Sequence, residues 1–298
     1  MIHHVFANKS NVGDWLSARA IQRLLGPEPV SEYLCDEPFV PETLARLQQA
    51  GPGDLIIIGG GGLFMDYFAE FWKGFRVIAE RVPFAIWGVG CCDMKRQNSR
   101  LPAALLEEIV SLSRLCVVRD ELTRAALSGC ALPPPVACPT MSLVEPAAPG
   151  AGLLHVDAFD NVGEANYEAM EAFGEEFAAA TGRSFHSINN LIPAGSDKSL
   201  SAVLARYESA DLILAGRLHG CIIGLAMGRK VLAVSGDHKV ESFMQAAGLG
   251  EWVLDLCEVG SVPQRLRDLA GQSNPAEFIA RTRAQHQQIA AQLRSWLP

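Results

Sequence analysis

Short apolar runs alternate with helix-like stretches along most of the chain, and several of the runs end in glycine. Apolar runs of about four to eight residues are typical of strands buried in a parallel sheet, and the stretches between them are typical of crossover helices. The predicted strands lie at residues 1–7, 54–58, 83–90, 115–118, 153–156, 211–216 and 231–235. The predicted helices lie at residues 15–25, 41–50, 75–81, 102–113, 121–127, 164–180, 221–227 and 241–247, with a last helix after residue 275. This alternation predicts an α/β fold built from Rossmann-like units.

Two pairs of short segments recur in the same order in the two halves of the chain. Asn11-Val-Gly-Asp14 follows the first strand, and Asn161-Val-Gly-Glu164 follows the first strand of the second half. The apolar strand at 54–59 is similarly matched by the strand at 211–216. This order indicates two similar halves.

A proline-rich segment at 131–150 separates these halves and has the composition of a linker. We therefore expect one Rossmann-like domain at 1–140 and a second one at 150–260. The two domains should face each other across a cleft. The amphipathic helix at 275–298 should pack back on the body of the protein.

Four consecutive glycines, Gly59–Gly62, end the strand at 54–58. Because glycine weakens regular structure, such a run suits a place where the backbone closely approaches a ligand or a neighbouring helix. We favour ligand contact, and so assign Gly60, Gly61 and Gly62 to substrate binding. The run is not a phosphate loop, because the Gly-Lys-Ser/Thr ending is missing.

The strand at 211–216 is followed directly by Arg217, Leu218 and His219. A cation and an imidazole at the carboxyl end of a strand, beside a helix N-terminus, predict an anion site with a proton donor next to it. An ordinary turn, with a surface ion pair and an inert histidine, fits the spacing equally well. Arg119 also follows a strand. The sequence does not decide whether its side chain contacts a ligand or forms a salt bridge with neighbouring acids.

Asn11 and Asp14 precede a predicted helix, and helix capping is the favoured interpretation of both. A carboxylate of Asp14 that faces the cleft is the functional alternative. Cys91 and Cys92 follow a strand that ends in glycine, where one thiol is placed to line a cleft.

Composition narrows the class of protein. The 298 residues are 49% hydrophobic and 19% charged, which suits a compact, core-rich protein. The net charge of −8 argues against broad binding to nucleic acid or an anionic membrane. Neither a signal peptide nor an apolar run of spanning length is visible, so we expect a cytoplasmic protein, with peripheral membrane association left open for the C-terminal helix. The eight cysteines form no Cys-x-x-Cys pair, and we expect no metal site.

On these residues the chain resembles the polysaccharide pyruvyl transferase family. The matching segments are Asn11-Val-Gly-Asp14, Gly59–Gly62, Val118-Arg-Asp120, Gly216-Arg-Leu-His-Gly220 and Lys239. Two departures are visible. The family tends to have an Asp-Pro pair near the domain crossing, where this chain has Cys138-Pro139, and the segment 181–200 lacks landmarks that can be aligned.

The resemblance implies a GT-B-like fold, with the acceptor on the 1–140 domain and phosphoenolpyruvate on the 150–260 domain. It also implies transfer of the pyruvyl group of phosphoenolpyruvate to a sugar, on which a ketal forms, without a cofactor. The enol carbon must be protonated, after which a sugar hydroxyl attacks, phosphate leaves and a second hydroxyl closes the ketal. His219, with an ordinary pKa near ~6.5, is the implied proton donor, and Arg217 is the implied anion grip. Arg119 and Lys239 would neutralise the ligand, while Asp14 would act as base or contact the acceptor hydroxyl. The further implied substrate-binding residues are Leu218, Asn11, Gly60, Gly61 and Gly62.

Other functions remain open on the same fold. One is a glycosyltransferase that uses a nucleotide-sugar, with Glu164 as the carboxylate for the ribose. Others are a non-catalytic glycan- or metabolite-binding relative and an enzyme that modifies a small molecule. The expected partners are phosphoenolpyruvate and a sugar or a lipid- or nucleotide-linked glycan, with no nucleic acid; a homo-oligomer is left open.

Overall fold

The computed structural model describes residues 1–97, 99–192 and 195–297, and within them ten strands form two parallel, five-stranded sheets. The strands are β1 (Ile2–Phe6), β2 (Val30–Leu34), β3 (Leu55–Gly59), β4 (Phe84–Val89), β5 (Leu115–Val118), β6 (Gly152–Val156), β7 (Ser184–Ile188), β8 (Ala210–Ala215), β9 (Lys230–Ser235) and β10 (Val253–Asp255). The helices are α1 (Val12–Leu25), α2 (Val40–Leu47), α3 (Ala69–Ala79), α4 (Ala103–Leu112), α5 (Glu121–Ala126), α6 (Phe159–Val162), α7 (Glu164–Thr181), α8 (Asp197–Ser209), α9 (Leu218–Ala226), α10 (His238–Ala246), α11 (Val262–Asp268) and α12 (Ala276–Arg294).

The two sheets have the same topology. The strand order is β2-β1-β3-β4-β5 in the first sheet and β7-β6-β8-β9-β10 in the second, so each reads 2-1-3-4-5 within its own half. The recurring segments of the sequence occupy equivalent places: the Asn-Val-Gly segments follow β1 and β6, and the paired apolar strands are β3 and β8. The expected fold of two Rossmann-like halves is therefore confirmed. In this topology the strand order reverses between the first and third strands, where open α/β sheets bind ligands.

The sequence predicted the buried central strands, but it did not predict β2 and β7, which come second along the chain in each half. Every residue of β3, β4 and β6 is buried, which matches their nearly continuous apolar sequences. In contrast, β2 and β7 are edge strands with half-exposed, mixed sequences. An edge strand is paired and covered on fewer sides, so it shows a weaker hydrophobic pattern.

The last helix, α12, packs back on the body of the protein, as expected. Phe278 and Ile279 near its start belong to the core of the second half, whereas Ile289 and Leu293 near its end belong to the core beneath the first sheet. The apolar face of α12 is therefore covered by both halves of the protein.

Candidate active site

A cavity of about 510 Å³ lies between the carboxyl ends of the two sheets, and we call it the cleft. Its volume is typical of small-ligand sites. The lining residues are Asn8, Asn11, Asp14, Asp36, Gly62, Met65, Tyr67, Phe68, Cys92, Met94, Arg119, Asp160, Asn161, Asn190, Leu191, Arg217, Leu218, His219 and Lys239. They come mainly from the loops and helix starts that follow the strands of both sheets, including the point in each sheet where the strand order reverses.

Two backbone bridges across the cleft show how the halves face each other. Asn11, after β1, pairs with Leu191, after β7; Met94, after β4, pairs with Asp237, after β9. One end of the cleft is therefore built from the loops near β1, β2 and β7, and the other from the loops near β4, β5 and β9.

Arg217 and His219 lie at the start of α9, between these two ends. The helix begins at Leu218, three residues earlier than predicted, so His219 lies within its first turn and Arg217 is the N-cap residue. The Nη2 atom of Arg217 is 3.8 Å from an Asp160 carboxylate oxygen. Its Nε atom is buried and has no hydrogen-bond partner among the described residues. The helix N-terminus adds partial positive charge at the same place.

The imidazole of His219 is held from two sides. Its Nε2 atom is 3.6 Å from the Sγ atom of Cys138. On the other side the ring lies against the backbone of Gly13, where an added Cβ atom would be only 2.0 Å from Nδ1. Cys138 was noted in the sequence only as a departure from the family pattern, and its contact with His219 depends on the tertiary structure.

The pKa of His219 differs from the ordinary value that we expected. Burial, followed by the charges of Arg119, Lys239 and Arg217, lowers the pKa of His219 to about 3. The expectation of an unperturbed imidazole is therefore wrong for the ligand-free protein, and His219 is neutral at neutral pH. A role as proton donor requires a change in its surroundings.

Arg119 and Lys239 lie at the β5 and β9 end of the cleft. The buried Arg119 has its Nε atom 3.2 Å from a carboxylate oxygen of Asp120, while its Nη2 atom has no hydrogen-bond partner within the described residues. The Nζ atom of Lys239 is 2.7 Å from Asp237 and 3.0 Å from the Sγ atom of Cys92. Burial alone would lower the pKa of Lys239, but Cys92 and Asp237 raise it above its usual value, so the amine is charged.

Asn11 and Asp14 play different parts at the start of α1. The side chain of Asn11 accepts a hydrogen bond from the Gly13 amide at 2.9 Å, so Asn11 caps the helix while also lining the cleft. Asp14 lies in the first turn and faces the cleft. Burial raises the pKa of Asp14 to about 6, although Arg119 and Lys239 oppose this effect. Asp14 thus presents to the cleft a carboxyl group whose pKa is raised to about 6.

The glycines after β3 divide into two groups. Gly62 lines the cleft, but Gly60 and Gly61 are buried and absent from its lining residues. Both have positive φ angles, and an added Cβ atom would lie 2.5 Å from Ser17 at Gly60 and 2.4 Å from Asp14 at Gly61. These two glycines allow the loop to approach α1 closely, so our preference for ligand contact is corrected at Gly60 and Gly61.

Sequence reasoning missed the residues at the other end of the cleft. Asp36, which follows the unpredicted strand β2, lies there with Asn8 and Tyr67. Burial raises the pKa of Asp36, although hydrogen bonds from Asn8 and Tyr67 act in the opposite direction. The side chain of Tyr67 is largely exposed. This end therefore offers a carboxyl group, an amide and an aromatic ring.

Within the described residues, no group of three or more His, Cys, Asp or Glu side chains is placed to hold a metal ion. In the same part of the chain, we find no helix that is both long and apolar enough to span a membrane.

The two parallel sheets and their shared cleft define a two-domain α/β protein of the GT-B-like class. The chain belongs to the polysaccharide pyruvyl transferase family, whose family model matches residues 11–238. No curated protein sequence matches the chain.

Solved structures of low sequence identity share the fold. The UDP-GlcNAc 2-epimerase of Methanocaldococcus jannaschii, in complex with UDP-GlcNAc and UDP, matches with a TM-score of 0.60 at 9% identity, over 98% of this chain and 99% of that chain. A putative UDP-N-acetylglucosamine 2-epimerase from Listeria monocytogenes has a TM-score of 0.54 at 9% identity, over 94% and 90% of the two chains. An uncharacterized protein from Klebsiella pneumoniae has a TM-score of 0.52 at 14% identity, over 84% and 89%.

Proposed function

We propose that this protein transfers the pyruvyl group of phosphoenolpyruvate to a sugar or glycan acceptor and forms a cyclic ketal. The main support is the pair of buried guanidinium nitrogens, Nη2 of Arg119 and Nε of Arg217, that lack hydrogen-bond partners among the described residues and belong to side chains lining the cleft beside His219. Buried polar groups without partners are costly, and an anionic ligand would satisfy both.

The charge of the donor substrate fits the cationic side of the cleft. At neutral pH a phosphate monoester carries about −1.5 to −2 charges, and the carboxylate of phosphoenolpyruvate adds one more. Arg119, Lys239 and Arg217 supply three positive charges, and the N-terminus of α9 adds to them. In the proposed complex the phosphate and carboxylate lie among these groups, and Arg217 binds one of them in a bidentate manner.

The acid–base steps require two groups. In the proposed mechanism His219 donates a proton to the enol carbon, because the bound anion offsets the three cations that, in addition to burial, keep the imidazole neutral in the empty site. Asp14, in the first turn of α1, accepts the proton of the attacking hydroxyl. Its raised pKa of about 6 leaves it largely ionised at neutral pH, yet basic enough for this role.

The acceptor would lie toward the end of the cleft that contains Asp36, Asn8 and Tyr67. Carboxylate and amide groups bind sugar hydroxyls through hydrogen bonds, and an exposed aromatic ring provides a flat apolar surface for a sugar ring. This placement brings the acceptor hydroxyls near Asp14, between the acceptor end and the cations.

Thermal unfolding with added ligand tests the donor. Phosphoenolpyruvate at about 100 times its Kd should stabilise the protein by about 2.7 kcal/mol and raise its Tm accordingly. The Arg217→Gln variant should lose most of this effect, whereas Arg267→Gln, at an exposed position on α11, should retain it. Unchanged Tm in the presence of saturating phosphoenolpyruvate would contradict the proposal.

A nucleotide-sugar substrate is the second candidate, because a solved structure with the same fold was determined with UDP-GlcNAc and UDP. At 9% sequence identity, the similarity to that epimerase shows a shared fold and nothing about the substrate of this chain. In this chain Glu164, the residue considered for ribose binding, is exposed and does not belong to the lining of the cleft. Stabilisation by UDP-GlcNAc but not by phosphoenolpyruvate would favour this candidate instead.

A further inference from the structure

Cys138 contacts the imidazole of His219 from the segment that joins the two halves of the protein. The thiol is completely buried, and its Sγ atom is 3.6 Å from Nε2 of His219. The same sulfur is 3.5 Å from the hydroxyl of Ser17 and 3.4 Å from that of Thr140. The partner of Nε2 on this side is therefore a thiol, itself in contact with two hydroxyl groups, and not a carboxylate.

The remaining charged groups around His219 are mostly cations. Arg119 on the loop after β5, Lys239 on α10 and Arg217 beside it all disfavour a positive imidazole. Asp14 on α1 also faces the cleft, but within the described residues no carboxylate forms a hydrogen bond or ion pair with His219. A protonated His219 would be a fourth cation with no anionic partner.

We propose that Cys138 is a positioning residue that contacts His219 without supplying a negative charge. The ring therefore stays uncharged among buried cations until an anionic donor substrate binds, and His219 becomes a proton donor only in the substrate complex. This inference rests on the proposed function, because it assigns the missing negative charge to phosphoenolpyruvate. The lowered pKa of His219 in the empty site agrees with it.

The residue type at position 138 matters because a carboxylate there would favour the charged form of His219, which a thiol does not. An aspartate within about 4–6 Å of an imidazole favours the charged form and raises the pKa of the histidine by about 1–3 pH units. His219 would then be partly protonated before substrate arrives. A thiol supplies the same contact without that charge, so protonation becomes coupled to binding. The coupling prevents a proton from being held in the site when no enol is present to receive it.

Side-chain NMR of the histidines tests this directly. The ring signals of His219, assigned with His219→Gln, are followed from pH 4 to pH 9 with and without saturating phosphoenolpyruvate. In the wild type and in Cys138→Ser we expect a neutral ring throughout this range in the free protein and a protonated ring at neutral pH in the complex. In Cys138→Asp the midpoint of the free protein should rise by about 1–3 pH units, from about 3 into the range of about 4–6 where the titration detects it. Cys257→Asp, which replaces an exposed thiol, should show the same neutral ring as the wild type.

The outcomes separate this inference from the proposed function. An unchanged His219 midpoint in Cys138→Asp, or a charged ring at neutral pH in the free wild type, would overturn the role of Cys138. Binding of phosphoenolpyruvate, seen as a rise in Tm, without protonation of His219 would overturn it as well. If phosphoenolpyruvate does not bind, the proposed function is overturned. The midpoint in Cys138→Asp would still decide whether residue 138 affects the charge of His219.

Discussion

His219 shows how much of a functional side chain's behaviour depends on residues far away in the sequence. Its ring lies between Gly13 on α1 and Cys138 in the joining segment, and its charge is set by burial and by cations at three other positions. The sequence identified the histidine itself, because it follows a strand directly. It gave no indication of the low pKa, since desolvation depends on which elements surround the ring.

Replacing Gly13 with alanine should inactivate the site without unfolding the protein. Alanine is a good helix former, but its Cβ atom would overlap the imidazole of His219 and push it from its position. Displacement of a catalytic group by about 1 Å can reduce the rate by about 100-fold, so we expect a loss of that order in kcat/KM for pyruvyl transfer. Gly51→Ala is the matched control, because its Cβ atom would meet nothing within 4 Å. Equal activity in the two variants would contradict the placement of His219.

Helix α12 is the element that ties the two halves together. The indole Nε1 of Trp87, in β4, donates a hydrogen bond to Nδ1 of His286 at 2.9 Å, and Nε2 of His286 donates to the carbonyl of Ala137 at 2.6 Å. The indole nitrogen can only donate, and this fixes the tautomer of His286. The helix is thus bonded both to the first sheet and to the segment that carries Cys138.

The His286→Leu variant should destabilise the protein strongly. It leaves the buried indole N–H and the Ala137 carbonyl without their partner, and each such group costs about 1–3 kcal/mol. We therefore expect the free energy of unfolding to fall by about 2–5 kcal/mol in urea denaturation. Gln287→Leu, at an exposed position one residue further along α12, should change it by less than about 0.5 kcal/mol. If His286→Leu lowers the free energy of unfolding no more than the control does, the two hydrogen bonds of His286 contribute little to stability.

At the scale of the whole molecule, buried histidines make stability sensitive to acid. Burial lowers the pKa of His4, His155 and His286 to about 4 in each case, and burial together with nearby cations lowers the pKa of His219 to about 3. The native protein keeps these rings neutral, whereas the unfolded chain protonates them near ~6.5. Their contribution to stability is therefore complete above about pH 6.5 and decreases as the pH falls toward 4. Asp14 acts in the opposite sense, because its pKa is raised to about 6 in the native protein.

The free energy of unfolding should consequently decrease between pH 6.5 and pH 4.5. Four histidines outweigh one aspartate by about three protons, which corresponds to about 4 kcal/mol per pH unit at most. Urea denaturation at several pH values measures the slope. His238→Asn, which removes an exposed histidine, should leave the slope unchanged, and His155→Asn should reduce it. Constant stability across this range would contradict the burial of these rings as neutral groups.

The strands and helices of the interior, and the similarity of the two halves, could be predicted because they depend on local patterns. Strands such as β3 and β8 are buried by their neighbours and carry apolar side chains along nearly their whole length. Edge strands β2 and β7 and helix α8 were missed, since their residues are partly exposed and their patterns are mixed. With β2 missed, Asp36 could not be placed at the cleft.

The sequence by itself determined that Arg119, Arg217 and His219 follow strands, and therefore that each lies at the carboxyl end of a sheet. This follows because parallel strands of a sheet present their carboxyl ends at a common edge. Their meeting with Lys239 in one cleft depends on how the two sheets face each other. Only the tertiary structure decided that Cys138 contacts His219, that Gly60 and Gly61 serve packing against α1, and that the imidazole is neutral in the empty site. Contact and desolvation arise from the packing of segments distant along the chain, and no local pattern records them.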